Sequence, residues 1–85
     1  MKVYAQFLTI NINGKLSETL GSDGVFILDG RNNINTWKVD AMVRMNQLSN
    51  VQPNYIGYRI YKGNRFSDNN TMIYEWIKFG SKYIR

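Results

Sequence analysis

One helical stripe in an otherwise strand-rich chain decides most of what this sequence can fold into. Ile34, Trp37, Ala41, Met45 and Leu48 stand three or four residues apart. That spacing stacks them on one side of a helix with a single apolar surface to bury. The helix is expected over about 33–49. An Asn among Asn32, Asn33 and Asn35 supplies the N-cap, and Pro53 turns Gln52 towards extended geometry and ends the helix before it. Val39 and Val43 fall on the side opposite the stripe, with Met42 at its flank. They form a mild apolar excess that a partner or a covering element would explain, although two scattered valines are also ordinary on a surface.

The flanking runs read as strands. Residues 2–12 concentrate Val, Tyr, Phe, Thr and Ile, and apolar residues occur at both parities. Either the strand is buried on both faces, or a bulge near Phe7–Leu8 switches them. Asn13-Gly14 signals a tight hairpin turn, with a return strand from Lys15 to about Leu20. Gly21-Ser22-Asp23-Gly24 is loop chemistry, Val25–Leu28 a third strand, and Asp29-Gly30 a strand-to-helix connection. Two further β-like runs, near 55–62 and 71–79, are joined by a polar loop, and Gly80 ends the pattern before a short basic tail. The whole predicts a single α+β domain over 1–85, in the order β-β-β-α-β-β: an antiparallel sheet of four to five strands with one helix packed on one face.

Composition narrows the chemistry. The 85 residues include no Cys and no His, which removes thiolate and imidazole ligands, structural zinc, the Cys nucleophile and the usual general base. The six carboxylates are dispersed, no serine lies in a Ser-x-x-Lys motif, and so short a domain has little room for a deep pocket. No catalytic residue, metal or cofactor is expected, and the chain reads as a non-enzyme. No apolar run approaches a membrane span, and the N-terminus lacks the features of a signal peptide, so a cytoplasmic location is expected.

The net charge of +5 is unevenly spread. Residues 1–50 carry Lys2, Lys15, Arg31, Lys38 and Arg44 against Glu18, Asp23, Asp29 and Asp40. Residues 51–85 carry Arg59, Lys62, Arg65, Lys78, Lys82 and Arg85 against only Asp68 and Glu75. The positive field therefore belongs to the C-terminal third and favours an anionic partner, or serves simply as a solubilising surface.

The hairpin in that third offers two registers. If Ile56, Tyr58 and Ile60 align with Ile73 and Ile77 on the core side, the other side displays Tyr55, Arg59, Tyr61, Tyr74, Trp76 and Lys78 together. Gly57 then leaves a gap between the rings, and Glu75 turns towards the helix. The alternative register buries Tyr74 and Trp76 and exposes Glu75. The first is the expectation, and it makes an aromatic–basic face on which nucleic-acid bases could stack or which a protein partner could use, Tyr, Trp and Arg being the usual anchors. Otherwise the rings are good strand residues and part of the core. Lys62, Arg65 and Phe66, in the connecting loop, complete the candidate set, unless Phe66 folds back on the core edge. The loop is not a phosphate-binding loop.

Gln52-Pro53-Asn54-Tyr55-Ile56-Gly57-Tyr58-Arg59-Ile60-Tyr61-Lys62-Gly63 and Asp23-Gly24-Val25-Phe26-Ile27-Leu28-Asp29-Gly30 resemble small accessory proteins encoded by phages and conjugative elements of Gram-positive bacteria. The resemblance covers about half the chain and transfers no functional residue. It implies a small binding module that docks on a host protein, with inhibition of a nucleic-acid-handling or defence enzyme as its most concrete form. Direct binding of single-stranded DNA or RNA by the aromatic–basic sheet face is the alternative. A two-fold homodimer that pairs exposed sheet edges is a third solution for so short a sheet.

Overall fold

In a computed structural model, which describes residues 2–19, 24–64 and 69–78, the chain forms the expected α+β arrangement. The strands are β1 (Val3–Ile10), β2 (Leu16–Glu18), β3 (Val25–Leu28), β4 (Tyr55–Lys62) and β5 (Thr71–Ile77), with α1 (Ile34–Val51) between β3 and β4. Every pairing is antiparallel. β4 runs along one side of β1, while β2 and β3 share the other side end to end, at residues 8–10 and 3–6. β5 pairs with β4 and forms the far edge among the described residues. Phe79, Gly80 and the basic tail lie outside the described residues, as does the loop at 21–23.

β1 is buried on both faces, as the mixed parity of its apolar residues allows. Val3, Ala5 and Phe7 face α1, joining Leu28, Tyr58, Ile60, Trp37, Ala41 and Met45 in one core. Leu8 turns to the other side of the sheet, packing with Leu16, Ile56 and Ile77. No bulge switches the faces of β1. The irregularity lies on β4, where Leu8 opposes Gly57 but Thr9 opposes Tyr55, leaving Ile56 as the extra residue. An inserted residue reverses the side-chain parity beyond it, so Tyr55 joins the helix-side core and Ile56 leaves it. This corrects the expected grouping of Ile56 with Tyr58 and Ile60.

Local chemistry explains the boundaries. Asn33 is the N-cap, its side chain accepting from the backbone N–H of Asn35 and Thr36, which satisfies two of the donors a helix start leaves open. The Asp29 carbonyl accepts from Trp37 Nε1 at 2.7 Å. The connection before the helix is thereby tied to the stripe residue that enters the core. At the first hairpin, Gly14 N–H donates to the Asn11 carbonyl and Asn11 N–H to the Lys15 carbonyl, with Gly14 at φ +79°. The loop thus has three residues, closing through a left-handed Gly rather than as a two-residue turn centred on Asn13-Gly14. Among the described residues no helix is long and apolar enough to cross a membrane.

At Gly57 the backbone of β5 lies close against β4. A Cβ there would lie 2.5 Å from the Trp76 carbonyl oxygen and 3.2 Å from Ile77 Cα, both backbone atoms of the paired strand. The position is therefore filled by strand backbone and is not the gap between rings that the first register supposes. Gly57→Ala should force the two strands apart and cost about 1–3 kcal/mol, the range for overpacking. Urea unfolding would show this as a lowered midpoint; an unchanged midpoint would contradict the close approach.

Candidate functional site

The β4–β5 register pairs Tyr58 with Trp76, Arg59 with Glu75 and Ile60 with Tyr74. Tyr74 and Trp76 therefore stand on the α1 side of the sheet, and Glu75 stands on the other side with Arg59. This is the alternative register, and it corrects the expectation that Tyr74 and Trp76 share a face with Arg59 and Tyr61. The physical reason is charge. Turned towards the helix, Glu75 would be separated from Arg59 and would put a carboxylate into a largely apolar layer. In the observed register Arg59 Nε donates to Glu75 Oε2 at 2.8 Å, while Nη1 donates to Glu18 Oε2 at 2.8 Å. A second irregularity, between Ile60 and Tyr61, leaves Ile73 as the extra residue of β5 and packs it against the helix-side core.

The nine sequence candidates consequently divide. Arg59 and Tyr61 lie on the side away from α1. Tyr61 stacks on Tyr4, with centroids 5.3 Å apart and planes at 19°, and its hydroxyl donates to Glu18 Oε2. Tyr55 is buried under the C-terminal end of α1, where Arg44, Gln47 and Val51 line a depression of about 400 Å³ beside it. Lys62 and Lys78 are exposed at opposite ends of the hairpin's strands. Arg65 and Phe66 lie outside the described residues. The single aromatic–basic face is not formed.

The structure instead builds a corner. α1 rests on β3 and β4, so the helix-side face of β5 projects beyond it. Tyr74 and Trp76 make the floor, both half-buried, with Tyr58 stacked beneath Trp76 at 6.0 Å and 23°. Lys38, Val39, Met42 and Val43 make the wall, and the groove between them measures about 340 Å³. Val39 and Val43 are 61% and 52% exposed. The Lys38 ammonium sits 4.2 Å above the Tyr74 ring, a cation–π distance. Val39, Met42 and Val43 were noticeable in the sequence as surplus apolar positions on the helix. Lys38 was not, because its place in the corner depends on which flank of α1 faces β5.

Electrostatics distinguish the two sides of the sheet. Burial lowers the pKa of Arg59, but its hydrogen bonds to Glu75 and Glu18 outweigh burial and hold it above its usual value. Burial raises Tyr61 to about 12, helped by its bond to Glu18. Burial also raises Tyr58 to about 12, with the neighbouring Tyr74 adding to the shift. The described residues contain no group of three or more Asp or Glu placed to hold a metal ion. No family model, curated protein or solved structure matches the chain.

Two measurements check the polar side. Arg59→Met leaves Glu75 without its guanidinium and should cost about 2–3 kcal/mol. That is below the value for a fully buried pair, because Arg59 keeps some solvent contact. Adding Glu75→Gln should restore part of the loss in a double-mutant cycle. For the tyrosines, folding favours the neutral phenol. Their contribution is whole below pH 10, the unfolded value, and is lost as pH rises towards about 12. Stability measured by denaturant unfolding should fall across pH 10–12, with two tyrosines ionising late at 295 nm; a flat profile would contradict the burial of their hydroxyls.

Proposed function

We propose that this chain is a non-enzymatic binding module that docks on a partner protein through the corner between α1 and β5. The observation that carries the reading is the exposure of Val39 and Val43 directly beside the half-buried Tyr74 and Trp76. Contiguous apolar surface of this kind marks interaction sites, and Tyr and Trp in a partly formed pocket are the residues that dominate binding energy. The likeness of residues 23–30 and 52–63 to accessory proteins of phages and conjugative elements supports a cytoplasmic host protein as the partner, a nucleic-acid-handling or defence enzyme being the concrete candidate. Its basic charge argues against mimicry of DNA as the means of inhibition.

The test is affinity capture from a lysate of a Gram-positive host, compared across matched variants. Val43→Asp introduces a charge at a site already open to water, so the fold should survive it. It should weaken capture of the dominant partner by at least about tenfold, the equivalent of 1.4 kcal/mol. Ile27→Asp, at the exposed position of β3 and away from the corner, should leave capture unchanged. Equal capture by wild type and Val43→Asp would overturn the site. Binding of a fluorescent single-stranded oligonucleotide that weakens steeply with salt and ignores Val43→Asp would point to nucleic acid instead.

A further inference from the structure

Resting on the docking reading, we infer that the occupant of the corner is an amphipathic helix of the partner, bearing an acidic residue that meets Lys38. Geometry comes first. Strands in a sheet are about 4.8 Å apart, whereas packed helices lie about 8–10 Å apart. A helix beside α1 on its β5 flank therefore comes to stand over β5 or its outer margin, above Tyr74 and Trp76. An extended segment added to the edge of β5 would lie in the plane of the sheet. It would leave Val39 and Val43, which stand in the helix layer, as exposed as before. A helix buries the wall and the floor together.

Charge selects the kind of helix. Among the described residues Lys38 is the one charged residue lining the groove, and its ammonium lies over the Tyr74 ring at the junction of wall and floor. The nearest acidic residue in sequence, Asp40, stands on the opposite flank of α1 by the 3.6-residue period. A carboxylate on the incoming helix would reach Lys38 with no like charge from the wall, and the net charge of +5 attracts an acidic segment over a longer range. The same charge opposes a second copy of this chain, which would bring its own Lys38 and its own positive field.

Selection from a random displayed library of peptides about 15–20 residues long, enough to hold a helix, tests this without assuming the partner. Binders should carry apolar residues at i, i+3 or i+4, and i+7 together with Asp or Glu, and should shift the Val39 and Val43 methyl and Trp76 indole resonances. Lys38→Glu should weaken them by about tenfold or more, and Lys38→Gln should do so to a smaller degree with the fold unchanged. Binders abolished by Val43→Asp but built on an alternating, extended pattern, or indifferent to Lys38→Glu, would overturn the helix inference and leave the docking site standing. If no recovered binder is sensitive to Val43→Asp, the docking reading itself fails. Sedimentation should show a monomer; a dimer dispersed by Val43→Asp would make the occupant a second copy and overturn the inference.

Discussion

Arg59 reaching Glu75 across β4 and β5 is the contact on which the arrangement of the second hairpin depends. A one-residue slip in strand register turns every side chain to the other face. Of all residues on β5, Glu75 tolerates that least, because it would give up Arg59 and put its carboxylate into a largely apolar layer. Once Glu75 is placed with Arg59, Tyr74 and Trp76 must face α1. Glu18 extends the pairing to β2, and Tyr61 and Tyr4 stack beside it. The polar side of the sheet is thus held by side chains bonded to one another. The ion pairs there are a poor source of raw stability compared with apolar packing, and their contribution is to make one register specific.

Much of the architecture was legible in the sequence. Periodicity placed the helix within two residues at either end, and β3 and β4 agree with the runs Val25–Leu28 and 55–62. The cap at Asn33 and the stop before Pro53 follow from side-chain chemistry that acts locally. The faces of the hairpin were harder, because two bulges, at Ile56 and at Ile73, each reverse the alternation on which a face assignment rests. Nothing in the composition of YIGYRIYK or TMIYEWI announces an extra residue. The one informative signal was Glu75, which no register could bury without a cation. Given more weight, it selects the observed pairing, since Arg59 is the only basic residue inside either strand that can oppose it.

The corner between α1 and β5 follows from an unequal match between the layers. Four strand positions lie across the sheet, and a single helix of ordinary diameter shields about two of them. α1 crosses between β3 and β4, its stripe of Trp37, Ala41 and Met45 joining Val3, Ala5 and Phe7 of β1 in one core. That choice leaves β5 at the margin with its two largest rings half covered. The solvent-facing margin of a sheet and the helix flank beside it are commonly polar. Here the flank carries Val39, Met42 and Val43, and the margin carries Tyr and Trp.

The same division of faces changes what the positive charge can do. Base stacking by a sheet requires rings and cations on one surface, but Arg59 and Tyr61 are turned away from Tyr74 and Trp76 and are occupied with Glu18 and Glu75. Of the cations on the described part of the hairpin, Lys62 and Lys78 are exposed, and both stand at strand ends. Charges so placed contribute chiefly to the long-range positive field of the molecule. In the proposed docking mode contact energy comes from the apolar corner, where Lys38 is the single charge among the described lining residues. In that docking mode steering and contact fall to different residues, and it is the corner, not the charge, that gives the surface its shape.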